Sequence, residues 1–181
     1  MADSLRGSLL VAGPTLLDPN FRRTVVLIAD HDDEGASGVV LNRTSDLTVA
    51  EAAPPLAGLV ETGELLHIGG PVQPQAAVVL ADFAHPELAE RIVFGSVGLL
   101  TGEEAEDARS GIRRARVFAG YAGWGSGQLE AELEENSWIV EPALPEDVFT
   151  DAPDGLWSVV LKRMGGDYAM LALMPYDPST N

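Results

Sequence analysis

Cysteine is absent from the sequence, so a disulfide framework, a thiol nucleophile and a thiolate metal site are all excluded. Positive charge is scarce: 11 Lys and Arg residues stand against 28 Asp and Glu, a formal net charge of -17. A field of that sign repels nucleic-acid phosphates and anionic membranes, so neither is an expected partner. The three histidines, His31, His67 and His85, include no pair at metal-ligand spacing, and neither a metal nor a cofactor is expected. No apolar run approaches the roughly 18 residues of a membrane-spanning helix. The first residues lack a cationic segment followed by a secretory apolar one, and the expected location is cytoplasmic.

What is present is a chain of 181 residues, 46% of them hydrophobic. A domain of that length buries about 70% of its unfolded surface and sustains its own core. One domain over residues 1–181 is therefore expected, with a C-terminal tail from residue 175.

Short apolar runs punctuated by turn residues dominate the pattern. Leu9 to Ala12 and Thr24 to Ala29 read as buried strands, and Asp32-Asp33-Glu34-Gly35 supplies a turn before Gly38 to Leu41, predicting a hairpin. Val49 to Ala53 predicts a short helix that Pro54-Pro55 stops. Leu65 to Ile68, Ala76 to Leu80, Arg91 to Phe94 and Val97 to Leu100 predict further strands. Thr101 with Glu103 and Glu104 predicts a helix start, with Ala105, Ala108 and Ile112 as the buried stripe and Arg109, Arg113 and Arg114 in its last turns. Beyond it come a strand over Val117 to Tyr121, a glycine-rich bend over residues 123–127, a helix over Gln128 to Glu135 and a strand over Trp138 to Val140. Leu156 to Met164 predicts the last helix and Tyr168 to Leu173 the last strand. Strands do not alternate regularly with helices, which argues against a doubly wound nucleotide-binding sheet and for an α+β domain with a large mixed sheet.

Few clusters carry chemistry. Asp30-His31-Asp32-Asp33-Glu34-Gly35 resembles the start of a calcium loop, but the twelfth position, which needs a bidentate glutamate, is Leu41. A solvated hairpin tip explains the same residues. Ser126 sits between Gly125 and Gly127, whereas a nucleophile elbow needs glycines two positions away, where Trp124 and Gln128 stand. The glycines from Gly120 to Gly127 suit either an anion-binding loop or a tight bend around Tyr121 and Trp124. Arg109, Arg113, Arg114 and Arg116 form the one dense basic cluster, which suits either guidance of an acidic partner or phosphate or, more ordinarily, helix capping and pairing with neighbours such as Glu106.

Several segments taken together resemble the YqgE/AlgH family. They are Gly7 to Ala12 with Pro14, Leu17-Asp18-Pro19-Asn20-Phe21-Arg22-Arg23-Thr24 running on to Ile28, and His31 with Gly35-Ala36 and Gly38 to Arg43. Further matches are Gly69-Gly70-Pro71-Val72, Gly120-Tyr121-Ala122-Gly123-Trp124 leading to Gly127-Gln128-Leu129-Glu130 with Glu132, then Trp138 and Trp157. The resemblance spans essentially the whole chain. It implies an α+β domain whose forked, strongly bent sheet folds into a pseudo-barrel flanked by helices. It implies no established enzyme activity; the family's name derives from a suggested role in transcriptional control. Two positions depart from the family pattern: Thr44 replaces the proline usual after Asn-Arg, and Ala81 replaces a histidine common after Leu80.

The leading expectation is a non-enzymatic module that binds a protein partner or small ligand in one groove. Its candidate residues are Arg22, Thr24, His31, Asn42, Arg43, Gly69, Gly70, Pro71, Tyr121, Trp124 and Gln128. Two alternatives stand beside it: a hydrolase using His31 with nearby carboxylates, and a transcriptional regulator by family analogy.

Overall fold

The computed structural model describes residues 4–174, excluding the side chains of residues 102, 103 and 106. The tail expected from residue 175, and the roles expected of Glu103 and Glu106, lie outside that set. The strands are β1 (Ser8–Ala12), β2 (Val25–Asp32), β3 (Gly35–Val40), β4 (Thr44–Thr48), β5 (Leu65–Ile68), β6 (Val72–Phe83), β7 (Arg91–Phe94), β8 (Val97–Thr101), β9 (Ile112–Gly125) and β10 (Trp138–Pro142). The α-helices are α1 (Val49–Ala52), α2 (Gly102–Asp107), α3 (Gln128–Glu134), α4 (Pro145–Val148), α5 (Leu156–Met164) and α6 (Gly166–Leu171).

The fold is α+β, as the sequence predicts. Its sheet runs β10-β1-β2-β3-β9-β6-β8-β7, with β5 joining β4 to β9 off that path. Pairing is antiparallel except between β5 and β9. Strand β9 is the fork: Phe118 and Ala119 pair with β5 and β6 at once, and Ala122 to Gly125 pair with β3. The path ends at β10 and β7, so the sheet bends and branches without closing into a barrel. Register shifts in β2 between Ile28 and Asp30, and in β6 between Val72 and Ala77, are among the places where ladders bend.

The continuous apolar runs of β1 and β2 follow from burial on both faces. Leu9, Val11, Val25 and Leu27 pack with Trp157, Val160 and Leu161 of α5. The alternate residues Leu10, Ala12, Val26 and Ile28 pack with Trp124, Leu129 and Trp138. A third cluster joins Val79, Ala81, Phe83 and Val117 of the sheet to Val49, Leu56, Ala105 and Ala108.

Three predicted elements differ. Helix α2 ends at Asp107, and β9 starts at Ile112 after a 3-10 turn, so Ile112, Arg113 and Arg114 are strand residues. The glycine-rich bend shrinks to residues 126–127, because β9 runs through Gly125 in register with β3. Residues 168–171 are helical, not extended. Helix α5 terminates at Gly165, whose φ of +75° and amide bonds to Leu161 and Lys162 turn the chain back, and α6 then packs on α5.

Candidate functional site

The β2–β3 turn holds His31 in a fixed tautomer. The Leu5 backbone N–H donates to His31 Nδ1 at 2.9 Å, so that nitrogen bears the lone pair. The other nitrogen, Nε2, then carries the proton and donates to Glu130 of α3 at 3.0 Å. This bond holds the Glu130 carboxyl below the ordinary carboxylate range. Ser4, Asp32, Asp33, Ser126 and Gly127 complete an open cleft of about 390 Å3 with His31 and Glu130. Ser126 Oγ donates to the Asp33 carbonyl at 2.7 Å, tying the two turns together. Asp30 faces away from the cleft residues and pairs with Arg91 at 3.0 Å.

Behind this cleft the Gly-Trp-Gly segment builds an aromatic core. Trp124 is 6% exposed and Trp138 4%, and the rings of Phe21, Trp124 and Trp138 meet at centroid distances of 5.8 to 6.2 Å. Both indole N–H groups donate to Glu132 Oε1, at 3.1 and 2.9 Å. Gln128 donates to Glu132 Oε2 at 3.0 Å and accepts the Gly125 amide at 3.0 Å, so both ends of its amide are bound internally. Trp124 therefore presents no face to a partner.

The other candidate residues lie at the opposite end of the hairpin. Asn42 accepts the Val25 amide at 2.9 Å and donates to the Arg23 carbonyl at 2.8 Å. Arg43 donates to the carbonyls of Asn20 and Arg22, and buried Thr24 donates to that of Phe21. These bonds pin the loop before β2, which includes Arg22. Gly69 receives the Val40 amide and donates to Ala119. Gly70, at φ +154°, leaves no room for a side chain, because a Cβ would lie 2.2 Å from the Tyr121 backbone. Pro71 is exposed and Tyr121 half-buried. His31 stands six positions beyond Val25 along β2, roughly 20 Å of strand. The expected groove thus divides: His31, Trp124 and Gln128 stand at the turn end, and Arg22, Thr24, Asn42, Arg43, Gly69, Gly70, Pro71 and Tyr121 at the other.

A second polar cluster escaped the sequence reading. Arg116, 6% exposed, donates to the carbonyls of Val148 and Thr150 at 3.2 and 2.6 Å and pairs with Glu64 at 3.5 Å. His67, 2% exposed, donates from Nδ1 to the Leu65 carbonyl and stacks edgewise on Phe118. Burial, reinforced by the Arg116 charge, lowers the His67 pKa to about 4, whereas burial raises that of Glu64. A lone histidine and an arginine inside apolar strands were the available signals, but their juxtaposition depends on β5 pairing in parallel with β9.

Comparison with known proteins places these features in a family. The AlgH-like family model matches residues 9–169. A UPF0301 protein of Streptomyces coelicolor is 44% identical over 185 residues, covering 98% of this chain and 96% of that protein. The crystal structure of a Corynebacterium diphtheriae protein superposes with a TM-score of 0.83 at 30% identity, over 93% of this chain and 91% of that one. The solution structure of AlgH from Pseudomonas aeruginosa gives 0.74 at 32% identity, over 97% and 96%.

Proposed function

The chain belongs to the AlgH-like family, and from that premise we propose that it is a non-catalytic binding module. It receives a cationic group, from a protein partner or a small ligand, in the cleft at the β2–β3 turn. The observation that carries this reading is the state of His31, whose two ring nitrogens are both engaged, one accepting from Leu5 and one donating to Glu130. A general base needs a lone pair aimed at substrate, and protonating Nδ1 here would set an N–H against the Leu5 N–H. Ser126 is likewise committed to the Asp33 carbonyl, so a Ser-His relay gains no support. What the cleft does offer is charge: Asp32, Asp33 and Glu130 line it without an arginine or lysine among them. A regulatory role, which the resemblance suggests, then runs through contact with a basic protein segment rather than DNA.

Titration of labelled protein with a trilysine peptide tests this. Amide shifts are expected to concentrate at residues 32, 33, 126, 127 and 130, saturate, and weaken roughly fivefold or more in Asp33→Asn at matched ionic strength. Shifts spread evenly over the acidic surface, or unaffected by Asp33→Asn, would reject the cleft as the receptor.

A further inference from the structure

Residues 4 and 5 form a strap across the base of the β2–β3 hairpin tip, and His31 fastens it. Leu5 donates its backbone N–H to His31 Nδ1 at 2.9 Å, Ser4 Oγ donates to the His31 carbonyl at 3.2 Å, and Ser4 lines the acidic cleft. The Leu5 side chain packs against the cluster that contains Trp124 and Trp138. Through Nε2 the same imidazole is held to Glu130 of α3 at 3.0 Å, and its side chain is only 7% exposed. One ring thus joins the N-terminal segment, the hairpin and α3.

A second proton on this ring has one place to go. Nε2 already bears a proton, so the next must enter at Nδ1, the atom that accepts from Leu5. Two N–H groups would then face each other with no acceptor between them, and the strap must part from the ring. The resulting imidazolium has Glu130 in contact, with Asp32 and Asp33 lining the same cleft. Asp30 accepts the His31 backbone amide at 3.1 Å, but its charge is met by Arg91 at 3.0 Å and Arg6 at 3.9 Å. Glu34 does not line the cleft, nor among the described residues does any lysine or arginine. Protonation therefore places one positive charge where three carboxylates would otherwise draw a cation, and frees the Ser4 wall at the same moment.

We propose that the cleft is proton-gated: protonation of His31 unfastens Leu5 and repels the cationic group, so that proton and cation exclude one another. This inference rests on the reading of the cleft as a receptor for cations. The coupling is reciprocal by linkage, so a bound cation drives the proton off His31 by the same factor as the proton weakens the cation. Acidification through the ordinary histidine range then releases a basic partner.

A trilysine peptide capped by acetyl and amide groups keeps its charge constant between about pH 8 and about pH 5.5, a window in which histidine ordinarily titrates and carboxylates do not. It is titrated into the intact protein across that window at matched ionic strength, while the backbone amides and the His31 ring resonances are recorded. Affinity is expected to fall roughly tenfold or more toward the acid end, in step with protonation of the ring, and the Leu5 amide should follow the same titration. Saturating peptide at an intermediate pH should move the ring resonances back toward the neutral form. His31→Gln, which keeps one acceptor and one donor but takes up no proton, is expected to flatten both the affinity and the Leu5 profiles. If that variant fails to fold, the affinity, ring and Leu5 profiles of the unmodified chain still decide. Saturable binding whose affinity stays level as His31 protonates overturns the gate and leaves the receptor standing. A Leu5 amide that does not follow the ring, a ring that takes up no proton in the window, or a fall in affinity that persists in His31→Gln overturns the gate as well. Absence of saturable binding at the alkaline end rejects the receptor itself, and the gate with it.

Discussion

One carboxylate, Glu132, accepts the indole N–H of Trp124, the indole N–H of Trp138 and the amide of Gln128. It stands on α3, where a glutamate is ordinarily solvated, yet its removal would leave two buried indole donors unpaired. Each such orphan costs about 1–3 kcal/mol, so Glu132→Ala should destabilise the fold well beyond an ordinary surface substitution. Trp124→Ala removes a ring from the same cluster and should cost roughly 3–5 kcal/mol through the cavity it leaves. Urea unfolding measures both, and because the two residues share a bond their effects should be less than additive. A loss under about 1 kcal/mol for Trp124→Ala would contradict its place in the core.

His67 makes a second prediction at this scale, with a definite sign. Its folded pKa, about 4, lies below the ordinary 6.5, so the unfolded chain takes up a proton first as the solution is acidified. The contribution is therefore full above pH 6.5 and is lost as pH falls from 6.5 toward 4, amounting to at most roughly 3 kcal/mol. Glu64, raised by burial, works the opposite way, gaining stability on protonation. Comparing the unmodified chain with His67→Phe separates the two: the variant should show a shallower loss of stability between pH 6.5 and 4 by denaturant melts. Parallel profiles in that window would remove His67 as the cause.

Among the elements, those whose burial alone decides their state were legible in the sequence, and those decided by partners were not. The runs Leu9 to Ala12 and Thr24 to Ala29 are apolar on both faces because α5 covers one and the Trp124 cluster the other. Helix α5 matches its predicted bounds, since Trp157, Val160 and Leu161 share a stripe and Gly165 ends it. Residues 168–173, by contrast, are a short apolar run for which periodicity does not separate strand from helix. Glycines from Gly120 to Gly125 looked like a bend, yet β3 brings glycines of its own: Gly35 faces Gly125, and Gly38 faces Ala122. Paired backbones that close leave no space for side chains, as Gly35 shows, where a Cβ would meet the Trp124 carbonyl at 2.3 Å. Strand β4 was invisible, because Thr44 to Thr48 is polar and pairs only with β5. The same limit governs the sites. Asn42, Arg43, Gly69, Gly70 and Gln128 stood out as a motif, but their bonds show them holding loops and strands together. Glu64 and His67 belong to one stretch at β5 and Arg116 to β9, far along the chain, and the parallel β5–β9 ladder brings the two together.

For the molecule as a whole, the arrangement of its few cations matters more than their number. Arg91 and Arg6 pair with Asp30, Arg113 and Arg114 with Asp82, Arg116 with Glu64, and Arg163 with Asp147 through two bonds of 2.8 and 3.0 Å. Arg43 is spent on backbone carbonyls, and Arg23 lies over the Trp157 ring at 4.4 Å. The basic cluster read from residues 109–116 is therefore divided between strand and turn, with three of its members facing carboxylates. Duplex binding draws its affinity from phosphates that displace counterions onto unpaired cations, losing nearly a power of salt concentration for each contact. Here a contact through Arg6, Arg91, Arg113, Arg114, Arg116 or Arg163 would first break an internal ion pair, and any contact would bring phosphate toward a molecule of charge -17. No retardation of duplex DNA is expected at micromolar protein and physiological salt in a gel-shift experiment. Lowering the salt should not rescue it, since weaker screening also strengthens the repulsion. A shifted band that survives competitor DNA, and that Arg113→Ala with Arg114→Ala abolishes, would show that those pairs open and would restore direct DNA contact as the route of any regulatory role.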